Sequence, residues 1–350
     1  MKILAIDTSC DETSTAVTEG TQILSNIVWS QASQHAKFGG VMPALAQRLH
    51  EERIDWTINE ALKRARVSKK DIGAIAVTAG PGLAIALGVG IAKAKEMAEG
   101  LKVPIIGVNH IEGHLLSPLA QPATSPPFPL KNFGEGEMKR VRWPALGLVI
   151  SGGHTELILI KKIGEYQILA KTADDALGEA LDKAARMLGL GYPGGAILEK
   201  MAREGNPKAY PLPLPMARQG ENYWSYSGLK TAMFRLVQKT GIDLNKQQIC
   251  YLAASFQNRA FQHLERVMVN TIEKNEPDSE ILVGGGVAAN MELRRRLRKL
   301  GRKTGLKIRF PYSVKLCGDN AGMIGVAAGW GTLKTGRTVD RRPRWRVDEV

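Results

Sequence analysis

The chain has 350 residues, 44% of them hydrophobic, enough to bury a sizeable core and to form two domains rather than one. Its 48 basic and 34 acidic residues leave a formal charge of +14, which favours a polyanionic partner, nucleic acid first, through long-range attraction and counterion release. The apolar run in MKILAIDTSC ends at Asp7, too short and too acidic for a signal peptide or a membrane span, and Cys10, Cys250 and Cys317 are too widely spaced for a disulfide framework, so a cytoplasmic protein with no membrane partner is expected.

In chain order, KILAIDTS (2–9), STAVTEG (14–20) and QILSNIVWS (22–30) read as three short strands. PALAQRLHEERIDWTINEALKRA (43–65) carries apolar residues at helical spacing. Strand AIAVTA (74–79), the turn GPG, a helix to about Glu99 and strand VPIIGVN (103–109) follow. The same plan returns after residue 144 as strands ALGLVIS (145–151), TELILIKK (155–162) and YQILAKT (166–172). Helices 176–189 and 248–275, strand 280–286, helix 291–301 and strand 306–311 complete it, and a helix opens at 320.

The order predicts a duplicated α/β fold of the actin, Hsp70 and sugar-kinase (RNase H-like) type, two lobes with a cleft between them. The first lobe covers 1–120 and is completed by a C-terminal helix at 320–335; 121–144 is a Pro-rich linker; 145–319 is the second lobe. A Gly- and Pro-rich stretch at about 190–246 reads as a helical insertion with functional loops, and 336–350 as a basic tail. Basic residues concentrate at 294–309, 337–347 and 139–142. Each such run, taken alone, is better explained by a solvated helix face or a disordered tail.

In this architecture the turns between the first two strands of each half face the cleft. Here they are DTSCDETS (7–14) and SGGHTE (151–156), dense in Gly, hydroxyls and acids, and a third turn, GGGVAAN (284–290), joins a strand to a helix. Glycine lets backbone N–H groups approach an anion, hydroxyls add donors, and a helix N-terminus favours phosphate.

VNHIEGHLLSP (108–118) places His110 and His114 at the start of a helix, about 40° apart around its axis. They are able to share one metal. A zincin peptidase writes HExxH, with its glutamate beside the first histidine, whereas Glu112 lies at about 200° and faces away. Asp319, in CGDNAGM (317–323), follows the last strand of the second half and offers a third ligand, and two imidazoles with one carboxylate suit iron(II) or zinc with open positions for substrate.

These stretches, with GGVMPALAQRLH (39–50), TAGPGL (78–83), ALGEALDKAARMLGLGYPGG (176–195) and SYSGLKTA (225–232), resemble in order the tRNA threonylcarbamoyladenosine transferase family, in its bacterial TsaD form. The resemblance runs over about residues 1–335. It implies an acyltransferase that moves the threonylcarbamoyl group from threonylcarbamoyl-AMP to N6 of adenosine 37 in tRNAs reading codons that start with A. It makes His110, His114 and Asp319 ligands of one divalent metal, iron(II) ahead of zinc. Val149, Ile150, Ser151, Gly152 and Gly153 become the loop around the adenylate, with Asp182, Gly195 and Asn290 as further contacts. Without the resemblance, Asp182 and Asn290 read as a helix-face charge and a helix cap.

The carbamoyl carbonyl of such a substrate is already activated, so the enzyme has to hold it, polarise its oxygen and position a weakly nucleophilic amine. Asp11 or Glu12, on the first cleft turn, is the expected base for the N6 proton, and Arg294, Arg295 and Arg298 are the expected tRNA contacts. Implied partners are the tRNA anticodon loop, an upstream adenylate-forming synthase, an inactive paralogue (TsaB) and a small ATPase (TsaE). Gly318 departs from the Thr or Ser that many relatives carry before the metal aspartate. An ATP-dependent small-molecule kinase of the same fold and a metallopeptidase are the competing readings.

Overall fold

The computed structural model describes residues 1–123, 141–215, 222–241, 244–275, 280–330 and 339–350. Most of the expected linker, Lys139 and Arg140 of its basic run, and 331–338, the end of the expected helix 320–335 and the start of the basic tail 336–350, lie outside the described residues.

The first half forms β1 (Lys2–Asp7), β2 (Glu12–Glu19), β3 (Gln22–Ser30), α1 (Ala32–His35), α2 (Pro43–Ala65), β4 (Ile72–Gly80), α3 (Ala84–Leu101), β5 (Ile105–Asn109), α4 (His110–Leu116) and β6 (Gln121–Pro122). The second forms β7 (Ala145–Ile150), β8 (Thr155–Lys162), β9 (Glu165–Thr172), α5 (Leu177–Met187), α6 (Gly195–Arg203), β10 (Tyr223–Trp224), α7 (Ser227–Thr240), α8 (Lys246–Asn275), β11 (Glu280–Gly284), α9 (Met291–Thr304), β12 (Lys307–Arg309) and α10 (Ala321–Trp330).

Two six-stranded sheets result, and the order β3-β2-β1-β4-β5 of the first recurs as β9-β8-β7-β11-β12 in the second. In both, the central strand pairs antiparallel with its hairpin partner and parallel with the strand after the helices. The short strands β6 and β10 extend the same edge of each sheet in the same parallel sense. The duplication is therefore a property of register as well as of order.

Period-2 alternation assigns the faces. From β1, Leu4 and Ile6 pack with Ile54, Ile58, Leu87 and Ile91 of α2 and α3, while Ile3 and Ala5 pack with Met323, Ile324 and Ala327 of α10. From β7, Leu146, Leu148 and Ile150 enter the second lobe's core with α5, α8 and α9, and Val149 faces Ile111 and Leu115 of α4. Helices α4 and α10 thus stack between the two sheets. The approach is close: a Cβ on Gly284 of β11 would lie 2.0 Å from the carbonyl oxygen of His114, so only glycine admits α4 there.

Some ends differ from expectation for local reasons. The first strand stops at Asp7 because its carboxylate accepts the Ser9 N–H at 3.2 Å and turns the chain. Helix α9 passes Gly301, which packs beside Ile308, and ends where Gly305 takes the left-handed conformation at φ 76°. The tail, from residue 339, is not a loose end. Val339 enters the first core, Arg342 N donates to Ala79 O at 2.6 Å, and Val347 is buried with α10. Among the described residues no helix is long and apolar enough to cross a membrane.

Candidate active site

Asn109 closes β5 and caps α4. Its side-chain oxygen accepts the N–H groups of Ile111 at 2.9 Å and Glu112 at 3.2 Å, and its amide donates to the carbonyls of Trp345 and Arg346. One turn then separates His110 from His114, whose ring centroids lie 4.7 Å apart. Asp319 Oδ1 stands 3.1 Å from His114 Nε2 and 3.5 Å from His110 Nε2, and one potential ligand atom from each residue falls within 4.8 Å of the others. Nδ1 of both histidines is buried with no hydrogen-bond partner, so the protein leaves one nitrogen of each ring unsatisfied. Two imidazoles and a carboxylate, buried and convergent, fit a divalent ion.

Asp319 is fixed by what surrounds the start of α10. Ser14 Oγ accepts the Ala321 N–H at 2.8 Å, and Asn320, held by Asn26, accepts the Met323 N–H at 3.1 Å. A Cβ at Gly318 would meet nothing within 4 Å, so this loop does not depend on a Ser or Thr there. Burial opposes the charge on Asp319, yet the neighbouring His110 imidazolium holds its carboxyl well below the usual range. Burial likewise pulls His110 down, but the Asp319 charge and hydrogen bond lift it to about 9, while burial lowers His114. The metal-free pair therefore keeps a proton that a bound metal has to displace.

Glu112 is turned away from the imidazoles, as its helical position requires. Tyr166 of β9 donates to its Oε1 at 2.7 Å, and both groups are buried. Glu112 therefore cannot supply the general base that the zincin pattern places on the metal-binding helix.

Of the three candidate ligands, His110 and Asp319 line a cleft of about 710 Å³, and His114 is buried behind them. The first lobe supplies the turn from Ser9 to Glu12, Gly39, Gly40 and Pro81; the second supplies Ser151, Gly152, Gly153, His154, Asp182, Arg186 and Tyr192. An adjoining pocket of about 270 Å³ shares Gly152, Asp182 and Pro193 and adds Gly195, Val287 and Asn290. Six of the eight residues expected around an adenylate thus come together. Asp182 Oδ1 accepts the N–H groups of Gly194 at 2.9 Å and Gly195 at 2.7 Å, and Asn290 caps α9 through Leu293 N while donating to Gln257. Val149 and Ile150 stand apart: their side chains fill opposite faces of β7, inside the packing, and neither lines the cleft.

Asp11 and Glu12 both reach the cleft. Burial, then the charges of Asp319 and Asp11, push Glu12 well above the usual carboxylate range, and Ser30 Oγ donates to it at 3.1 Å. The turn is pinned from α2 by His50. Its Nε2 lies 3.0 Å from the Cys10 carbonyl, which only accepts, so Nε2 carries the proton and Nδ1 accepts from Thr13 Oγ1 at 2.8 Å.

The tRNA expectation needs correction at Arg294. This side chain is buried, donates to Ala288 O and to Cys317 Sγ, and stacks on Phe310, so it braces the GGGVAAN turn and is not free to meet phosphate. Arg295 is exposed but forks onto Glu292, and Arg298 is exposed over Phe310.

Sequence reasoning missed Asp7, His50 and Tyr166. Asp7 Oδ1 lies 3.9 Å from His110 Nδ1 and accepts from Thr78 at 2.7 Å, and a charge ending an apolar strand is a signal for it. His50, at the end of the PALAQRLH run, and Tyr166, which meets Glu112 across the lobes, carry no local signal.

The family profile described as "TsaD: tRNA N6-adenosine threonylcarbamoyltransferase" matches residues 22–326. The chain belongs to this family. A relative from Syntrophotalea carbinolica, named tRNA N6-adenosine threonylcarbamoyltransferase, is 42% identical over 355 residues, covering all of this chain and 98% of its own. One of the same name from Bartonella henselae is 41% identical over 368 residues, covering 100% and 96%. Among solved structures, the activator of 2-hydroxyisocaproyl-CoA dehydratase from Clostridium difficile, with bound ADPNP, matches with a TM-score of 0.53 and 10% identity over 94% of each chain. That likeness is one of fold, and it is the two-lobed architecture expected from the strand order.

Proposed function

We infer that this chain is the acyltransferase that moves the threonylcarbamoyl group from threonylcarbamoyl-AMP to N6 of adenosine 37 in tRNA. The observation that carries the site assignment is the convergence of His110, His114 and Asp319 beside a cleft, lined by His110 and Asp319, that opens into a second pocket. His110, His114 and Asp319 would hold one divalent ion, and a set of two histidines and one carboxylate with open positions favours iron(II) over zinc. When bound, the ion supplies Lewis-acid polarisation and a template for the threonylcarbamoyl group.

The residues of the chain do the rest. Ser151, Gly152 and Gly153 cradle the phosphate side of the adenylate, with Asp182, Gly195 and Asn290 shaping the adjoining pocket. Glu12, raised by burial and held by Ser30, takes the N6 proton as the amine attacks the carbamoyl carbon and AMP leaves, and the like charge of Asp11 adds to the upward shift that makes Glu12 a stronger base. Arg295 and Arg298 meet the tRNA backbone. A synthase supplies the adenylate, and the paralogue TsaB and the ATPase TsaE assist turnover, with the outer face of α2, where Trp56 is exposed, as the helix-packing surface for the paralogue.

The test is incubation of the metal-loaded chain with threonine, bicarbonate, ATP, the synthase, the accessory proteins and unmodified tRNA, followed by nucleoside mass spectrometry. Threonylcarbamoyladenosine is expected, at position 37 alone. Its absence beside a working control enzyme would overturn the reading. Metal titrations from pH 6.5 to 8.5 are expected to tighten by up to about tenfold per pH unit as the His110 proton is displaced.

A further inference from the structure

Beside the cleft, the chain between α1 and α2 makes a short projecting loop. His35, fully buried, anchors both ends: its Nε2 pairs with Gln31 Oε1 at 3.0 Å and its Nδ1 accepts the Met42 N–H at 3.2 Å. The loop is also fastened across the cleft, since the Arg186 guanidinium on α5 donates to the Gly39 carbonyl. Gly39 and Gly40 line the cleft wall. At the tip, Phe38 is 58% exposed and Met42 45% exposed. The loop is thus held at both ends and across the cleft while it presents a phenyl ring to water beside the cleft wall.

We propose that Phe38 is a stacking platform for the base next to adenosine 37, with Lys37 and Arg186 taking the adjacent phosphates. The inference rests on the transferase reading. N6 of the target adenine has to reach the Glu12 and Asp319 end of the cleft, on the side bounded by Gly39, Gly40 and Pro81, because the adenylate occupies the pocket beyond Asp182. A nucleotide drawn that deep leaves the stack of its loop, and its neighbour loses a stacking face. Phe38, one residue from the wall, offers a replacement. Lys37 and Arg186 are exposed, Arg186 feels the Asp182 charge one turn away without closing an ion pair, and the two give the aromatic ring the basic flanks that single-stranded nucleic acid requires.

Wild type, Phe38→Ala, Phe38→Leu and Phe38→Trp are compared in steady-state transfer, with the accessory proteins present. Each is also tested with tRNA carrying 2-aminopurine on either side of adenosine 37. The alanine variant is expected to raise KM for tRNA about five- to a hundredfold, with KM for the adenylate within twofold and an unchanged melting temperature. Leucine is expected to behave as alanine and tryptophan as wild type, and quenching of one 2-aminopurine probe is expected in wild type and tryptophan alone. A leucine variant equal to wild type would show that the ring serves only as apolar bulk and would sink the proposal. So would an alanine variant with normal KM for tRNA and weakened association with an accessory protein. If wild type itself forms no threonylcarbamoyladenosine, the transferase reading fails and takes this inference with it; if wild type is active and alanine matches it, only this inference fails.

Discussion

The turn after β1 and the turn after β7 occupy equivalent places in the two lobes, yet their chemistry is opposed. The first carries Asp7, Asp11 and Glu12, with His50 bracing its carbonyl from behind. The second, Ser151 to His154, has no carboxylate, and its two glycines have nothing within 4 Å of an added Cβ. The N–H groups of Gly153 and His154 curl around Ser151 Oγ at 3.3 and 3.1 Å, and burial, with the nearby histidine charges, lowers His154 to about 4, so its ring is neutral. Duplication supplies two copies of one scaffold, and the division of labour lies in which copy kept its acids. On the proposed reading, the adenylate phosphate lies against the turn that has no carboxylate, which leaves the acidic turn for the incoming amine.

The strongest way to break this comparison is to remove the residue that both sides share. Asp319→Ala leaves His110 and His114 facing each other with no carboxylate, and metal stoichiometry is expected to fall from one toward zero. Transfer is expected to drop by at least about a hundredfold. Retention of both metal and activity would place the centre elsewhere. Next in size is Glu12→Gln, which keeps the Ser30 contact but cannot take a proton, with an expected loss of about a hundredfold in kcat and little change in KM for the adenylate. The sign with pH follows from the direction of the shift. A carboxyl held above its ordinary range stays protonated to higher pH, so the wild-type rate is expected to fall as pH drops through that raised value. The Gln variant is expected to lack that limb, and an identical limb in both would assign the base to another group.

The alternation of strands and helices made the duplicated fold legible, because each central strand is buried on both faces and its hairpin partner follows it directly in sequence. The metal residues were legible for a local reason, the one-turn spacing of His110 and His114, while Asp319 was found only through the fold's expected closure. Side-chain direction was harder to read. Val149 and Ile150 belong to the right loop in sequence, but strand geometry sends both into the core. Arg294 sits in the densest basic run, yet the 3.6-residue repeat turns it inward to Ala288 and Phe310, while Arg295 and Arg298 turn outward. Charge density along a chain does not say which face a helix presents.

Restoring a carboxylate to the second turn would sharpen the comparison. Gly153→Asp meets no steric obstacle, so the fold is expected to be unchanged, and KM for threonylcarbamoyl-AMP is expected to rise about tenfold through repulsion of its phosphate. Gly153→Asn has nearly the same shape without the charge and is expected to stay within about threefold of wild type, since one pKa unit of charge interaction corresponds to tenfold. Equal effects in both variants would mean that space, not charge, sets the division between the turns.

The smallest expected change in activity separates the glycines that face the ligand from the one that supports them. Gly178, at the start of α5, has its Cα against the second turn: a Cβ there would lie 2.5 Å from the Ser151 carbonyl oxygen and 2.9 Å from Gly152 N, both backbone atoms that cannot swing aside. Gly178→Ala is therefore expected to lower stability by about 1–3 kcal/mol and the melting temperature by several degrees. Gly152→Ala, with open space around it, is expected to melt with wild type and to change KM for the adenylate only about two- to fivefold, because one methyl group at the wall of a pocket changes contact without adding charge. Thermal melts and adenylate titrations of the two variants check this together. If Gly152→Ala destabilised the protein and Gly178→Ala did not, the second turn would be supported from the cleft side, and its role as an open cradle for phosphate would fall.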